Sequence, residues 1–204
     1  MNIMKVGKRI CIIGSIIVAA ACGRSGWTAE EKRLIDGQDE VMRVLTINDL
    51  KDSLTLRETC SEIDVRDLRS EEFSGLARKM VATVTSPEQD GVGIAGPQVG
   101  ILRRVVAVQR FDKEDEPFEV YPNIRITERR GEKQTGPEGC LSIPGRRGDV
   151  ARYQDIDISY TSVKTLKDTT ETIKGFTAVI FQHECDHLDG VLYIDYIDGK
   201  ASDR

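Results

Sequence analysis

Histidine is nearly absent from this sequence, with two residues in 204, so any chemistry built on imidazole has to run through His183 and His187. A basic excess is missing too: 29 Lys and Arg face 34 Asp and Glu, for a net charge of -5. That excludes the broad positive footprint that phosphate backbones attract, and nucleic acid is not an expected partner. Internal repeats and low-complexity tracts are lacking, and no Glu occurs after Glu184. With 39% hydrophobic residues, the chain suits one compact domain with its own core.

The longest apolar run, Ile10 to Ala21, is too short to span a bilayer as a stable helix. Lys5, Lys8 and Arg9 precede it, and Ala19, Ala20, Ala21 and Cys22 close it. That is the layout of an export signal, and small residues ending in Cys resemble a bacterial lipoprotein cleavage site with Cys22 as the lipidated residue. Residues 1–21 are expected as signal, 22–50 as a tether with at most one short helix, and 51–204 as the catalytic domain. The protein is then expected to be lipid-anchored on the periplasmic or surface side of a bacterial membrane; the alternative is a cytoplasmic protein. Losing 1–21 removes three basic and no acidic groups, which leaves a charge of -8. Cys60, Cys140 and Cys185 would remain, an odd number for a disulfide scaffold, so at least one thiol should have another use.

Along the rest of the chain, Phe73, Leu76, Ala77, Met80, Val81 and Val84 recur at helical spacing behind Ser70 as cap, predicting a helix over 71–85. Gly91 to Gly100 is too glycine-rich for a regular element. Short strands are expected over 102–109, 118–125, 155–161 and 170–174, then a late helix from Gly175 to about Leu188 that stops at Gly190. Short antiparallel strands packed round one late helix make the expected class α+β.

That late helix carries His183-Glu184-Cys185-Asp186-His187. Positions four apart lie on one helix face, so both imidazoles can bind one divalent metal with Glu184 beside it to move protons. Two surface histidines on a solvated helix would be the bland alternative, but the flanking residues are apolar. Long-motif zinc endopeptidases place a third His six residues after the second; Tyr193 stands there instead. With no Glu after Glu184, a downstream Glu ligand is not expected either, and Asp195 and Asp198 read as charges on a terminal strand and loop. Upstream, Gly136 to Gly145 reads as a loop in which Cys140 could present a thiolate to a metal. Cys185 lies roughly 200 degrees round the helix from His183 and faces away. Cys60 has no motif around it.

Three blocks in order, Gly91 to Gln98, Glu138 to Ser142 and Gln182 to His187, resemble the peptide deformylase family, with similarity running from about Asp52 to Asp198. The resemblance implies Cys140, His183 and His187 as metal ligands with a fourth place for water, and Glu184 as general acid and base on a formyl amide. It implies Gln98 and the backbone N–H of Leu141 as oxyanion donors, worth on the order of 3 kcal/mol apiece. Gly93 would let backbone approach the substrate, and Arg147 would stand near the mouth of the side-chain pocket. The metal would be one divalent ion, natively Fe2+, with Zn2+, Ni2+ or Co2+ as other choices, and the partner an N-formylated peptide. Gly96 replaces the family's usual second Ala, a change expected to loosen the loop. Two alternatives stay open: a metallo-amidase or peptidase on other amides, and a non-catalytic surface lipoprotein that keeps the fold. Oligomeric state is not legible.

Overall fold

The computed structural model describes residues 26–201; the expected signal segment 1–21, its Cys22 and the last three residues lie outside the described residues. The class is α+β. Helices α1 (Ala29–Ile35), α2 (Leu50–Thr55) and α3 (Glu71–Val84) precede β1 (Gly93–Ala95), β2 (Val105–Gln109) and β3 (Phe118–Pro122). Strands β4 (Arg125–Cys140), β5 (Ile143–Thr161) and β6 (Asp168–Lys174) follow, then α4 (Phe176–Leu188) and α5 (Ile194–Ile197). The strands form two antiparallel sheets, β1-β2-β3 and β4-β5-β6. Among the described residues no helix is long and apolar enough to cross a membrane.

Strand β2 shows why its sequence is an unbroken apolar run. Side chains alternate across a strand: Val106 and Val108 join Phe181, Cys185 and Leu188 of α4, whereas Val105 and Ala107 join Phe73, Leu76 and Met80 of α3. Ile156, Ile158 and Ile173 of the second sheet close the α4 core from the other side. Helix α4 is therefore packed between two sheets, and its position is set by burial on both flanks.

Several expectations are corrected. Residues 26–50 are docked on the body. Thr28 caps α1 by accepting from Glu31 N at 3.1 Å, Glu31 pairs with the buried Arg103 at 2.6 Å, and Trp27 donates to Ser70. Farther on, Leu45 N donates to Gln98 O at 2.8 Å and Ile47 N to Ser142 O at 3.0 Å. The polar, mixed-charge composition hid these attachments because they are made by backbone and ion pairs. The second correction concerns Gly136 to Gly145, which is the closed end of a long hairpin: β4 has 16 residues and β5 19. Strand β4 lacks an apolar face, and its pairing rests on backbone ladders and cross-strand charge, with Arg130 bonded to Asp155 and Asp157 of β5. Hydrophobic periodicity cannot reveal such a strand. A third correction places Asp195 in α5, buried, where it caps Leu192 N at 2.9 Å and pairs with Arg57.

The glycine-rich stretch is also regular: β1 is followed by a 3-10 turn, Gly96–Val99. A Cβ at Gly96 would lie 2.6 Å from Ile101 O and 2.7 Å from Arg103 O, so the missing methyl tightens this chain instead of loosening it. Gly96→Ala is expected to cost about 2 kcal/mol, the usual scale for overpacking. Urea unfolding checks this, and an unchanged midpoint would show that the neighbouring backbone yields freely.

Candidate metal centre

The two histidines come from one face of α4 and the thiol from the end of β4, where the hairpin turns through Leu141 and Ser142. One ligand atom from each of Cys140, His183 and His187 lies within 4.8 Å of the others. Cys140 Sγ stands 3.2 Å from His187 Nε2. His183 Nδ1 is 2.8 Å from Glu138 Oε2, so with the carboxylate as acceptor the ring carries its proton on Nδ1 and leaves Nε2 for a metal. A soft sulfur with two imidazoles is a donor set for a borderline divalent cation.

The electrostatics ask for positive charge at the same spot. Burial works against charge on both rings; at His183 it is outweighed by Cys140 and Glu138, which push the pKa well up. His187 is pushed well down, by burial first and then by the charge of His183. Burial raises the Glu184 carboxyl to about 7, partly opposed by His183. Glu184 Oε2 and His187 Nδ1 are buried without a hydrogen-bond partner among the described residues. A divalent cation at the three ligands would answer the negative charge that Glu138 and Cys140 direct at His183, so the residues fit the ion.

Glu138 is held by a set of residues that sequence reasoning did not pick out. Arg152 of β5 donates to both Glu138 oxygens, at 2.7 and 3.1 Å, and to Asp186 of α4 at 2.6 Å. Tyr196 of α5 donates to the same Asp186 oxygen at 2.9 Å. Burial would raise the Glu138 carboxyl, but His183 and Arg152 outweigh it and hold it at about 2. The clue in the sequence was Glu138 itself, an acid two residues before the thiol whose partner could not be named without the β4–β5 register. Gln182, which opens the histidine block, is structural: its side-chain amide pairs with both backbone groups of Tyr153, donating to O at 2.7 Å and accepting from N at 3.1 Å.

A cavity of about 730 Å³ opens onto Cys140 and His183. Val92, Leu141, Ile143, Val179 and Ile180 give it apolar walls, and Gln98, Cys140, His183 and Glu184 a polar floor. Gln98 Oε1 accepts from Ala95 N at 2.8 Å, which turns Nε2 toward Ser142 Oγ at 3.2 Å and Cys140 Sγ at 3.6 Å. Leu141 is half-buried on the cavity wall, and Arg147 stands exposed on its rim. Gly93 is an extended strand residue, and what it makes room for is Glu184: a Cβ there would meet Oε1 at 2.5 Å. Cys60 and Cys185 are buried away from the ligand cluster in the α4 core, their thiols pushed up to about 12 by burial. They are unreactive packing residues.

A family profile described as Polypeptide deformylase matches residues 42–203. The peptide deformylase of Leptospira biflexa is 35% identical over 147 residues, 69% of this chain and 80% of the relative. Peptide deformylase 1 of Clostridium perfringens is 40% identical over 145 residues, 71% of this chain and 92% of the relative. Among solved structures, the Met-Ala-Ser-bound class I type b peptide deformylase of Acinetobacter baumannii superposes with a TM-score of 0.67 at 33% identity, covering 76% of this chain and 98% of the other.

Removal of the thiolate should be decisive for the ion. Cys140→Ser is expected to weaken metal affinity by more than about 100-fold, since even residues that only orient ligands are worth roughly 10–100-fold. Metal analysis after dialysis against a chelator gives the answer, and full occupancy would take Cys140 out of the site.

Proposed function

Because this chain belongs to the peptide deformylase family, we propose that Cys140, His183 and His187 hold its metal, that Glu184 moves the proton, and that Gln98 and Leu141 receive the carbonyl oxygen. The chain is a metal-dependent hydrolase that removes the N-formyl group from nascent peptides. One observation carries the assignment of residues: the three ligand atoms converge within 4.8 Å of one another beside a cavity lined by Cys140, His183 and Glu184, and Glu184 keeps a buried carboxylate oxygen without a hydrogen-bond partner among the described residues.

When bound, the divalent cation acts as a Lewis acid and lowers the pKa of the attacking water. The residues of the chain do the rest. An apolar side chain of the peptide lies against Val92, Leu141, Ile143 and Ile180, with water kept out of the slot. Glu184 takes a proton as water oxygen attacks the formyl carbon, and the amide oxygen gathers negative charge. Gln98 Nε2 and the N–H of Leu141 donate to that oxygen. Glu184 then returns the proton to the amine nitrogen, the C–N bond breaks, and formate and a free amino terminus leave. A carboxyl that must accept and release one proton works best with a pKa near the working pH; burial moves Glu184 in that direction, and a bound cation would draw it back toward the ordinary carboxylate range. Gly93 leaves the room that Glu184 Oε1 occupies, which any side chain there would take.

The resemblance to the family supports Fe2+ as the native ion, and a thiolate with two imidazoles would equally accept Zn2+, Ni2+ or Co2+. The layout of residues 1–22 supports export with a lipid on Cys22, which would put the enzyme on the periplasmic or surface side of a bacterial membrane, on formylated peptides other than chains still on the ribosome; the alternative is a cytoplasmic enzyme acting on nascent chains.

Glu184→Ala is expected to slow formate release from a formyl-methionyl peptide by about 10²–10⁴-fold with metal content unchanged. A variant as fast as the parent would remove Glu184 from the mechanism. For location, the protein should sediment with membranes, and Cys22→Ala should move it to the soluble fraction; a parent already soluble would overturn the anchor.

A further inference from the structure

Tyr193 occupies the position at which a long-motif zinc endopeptidase would carry its third histidine, and nothing in the reaction uses it. Its side chain is 1% exposed, in a small core with Ile143, Val150, Leu192 and Ile194 against which Cys140 packs. The ring stacks on that of His183, centroids 5.9 Å apart and planes 26° from parallel. The hydroxyl donates to Arg146 O at 2.7 Å. One rigid side chain thus touches the helix that supplies two ligands and the hairpin that supplies the third.

The attachment falls where the hairpin needs one. Cys140 pairs with Ile143 across a register shift at the turn. Beyond them Pro144, Gly145, Arg146 and Arg147 form an exposed rim on the cavity, with Gly145 at φ +75. Besides the small core of Ile143 and Val150 with Leu192 and Ile194, the start of β5 is held to the C-terminal turn by the Tyr193 hydroxyl on Arg146 O, the Arg146–Asp198 ion pair at 3.0 Å, and Ile197 lying against Gly148. The ion pair is half exposed, and such pairs contribute little. The Tyr193 hydrogen bond is the one made from a buried, immobile donor.

We propose that Tyr193 is a positioning residue whose hydroxyl fixes the 144–147 rim, and with it Arg147, over the substrate end of the cavity, while its ring backs His183. The aromatic ring alone suffices to support His183; the hydroxyl acts on the rim. The consequence for substrate rests on the deformylase reading, but the order imposed on the rim does not.

Two measurements separate those layers, both on the metal-loaded full chain. Without substrate, Tyr193→Phe should speed amide hydrogen exchange at 145–148 by about three- to tenfold, the factor corresponding to one net hydrogen bond, with exchange in α4 and metal content unchanged. With a formyl-methionyl peptide, the same variant should raise KM by about the same factor and leave kcat within about twofold. In the pair Tyr193→Phe with Arg147→Ala, the KM effect should not exceed that of Arg147→Ala alone. Unchanged exchange at 145–148 overturns the proposal, as does lost metal or a kcat fall at constant KM, since the hydroxyl would then act through the ligands. Faster exchange in a protein that releases no formate would sink the deformylase reading and keep the positioning role.

Discussion

A single buried guanidinium holds the centre together. Arg152 lies between Glu138 and Asp186, and through them binds β4, β5, α4 and, by way of Tyr196, α5. Two carboxylates around one Arg leave an excess negative charge beside His183. Removing one partner of such a buried pair costs about 3–5 kcal/mol, because the survivor is stranded away from water. The arrangement therefore demands completeness, and a divalent ion held by Cys140, His183 and His187 would supply the charge that balances it. Glu138 faces both ways, toward Arg152 for its position and toward His183 for its purpose.

Everything larger follows from putting α4 where that pair can reach it. The helix has little amphipathic contrast, since residues on nearly all its sides are buried, including Thr177, Gln182, Glu184 and Asp186. Two of its polar residues are well partnered, Gln182 by the backbone of Tyr153 and Asp186 by Arg152 and Tyr196. Glu184 lines the cavity, and its Oε2 and His187 Nδ1 are buried without a hydrogen-bond partner among the described residues, a cost the packing of the helix has to offset. The glycines at 93 and 96 belong to the same economy of space, one clearing room for Glu184 and the other for the 101–103 backbone.

Legibility tracked periodicity. Helix α3 and the core of α4 were visible in the sequence because their apolar residues repeat at helical spacing. Both α4 imidazoles and Cys140 could be proposed as partners, since spacing fixes the first two and a motif suggests the third. Strand β4 was invisible because Arg, Glu, Lys and Thr populate both its faces and its order comes from pairing with β5. Segment 26–50 was misjudged for the related reason that Glu31 spends its charge on an Arg distant in sequence. Arg152 and Tyr196 shared that obscurity: each matters through a partner that only the register and the last helix bring near.

The docking of residues 26–50 and of Arg57 has a consequence for how the molecule is made. Leu45 and Ile47 bond to Gln98 and Ser142, and Arg57 bonds to Asp195, 138 positions later. Contacts of such span close late and slow folding. A ribosome delivers the chain in order, so its early segments must wait, unsatisfied, until nearly the whole length has emerged. Arg57 in particular can settle only after the turn that carries Asp195 has been synthesised.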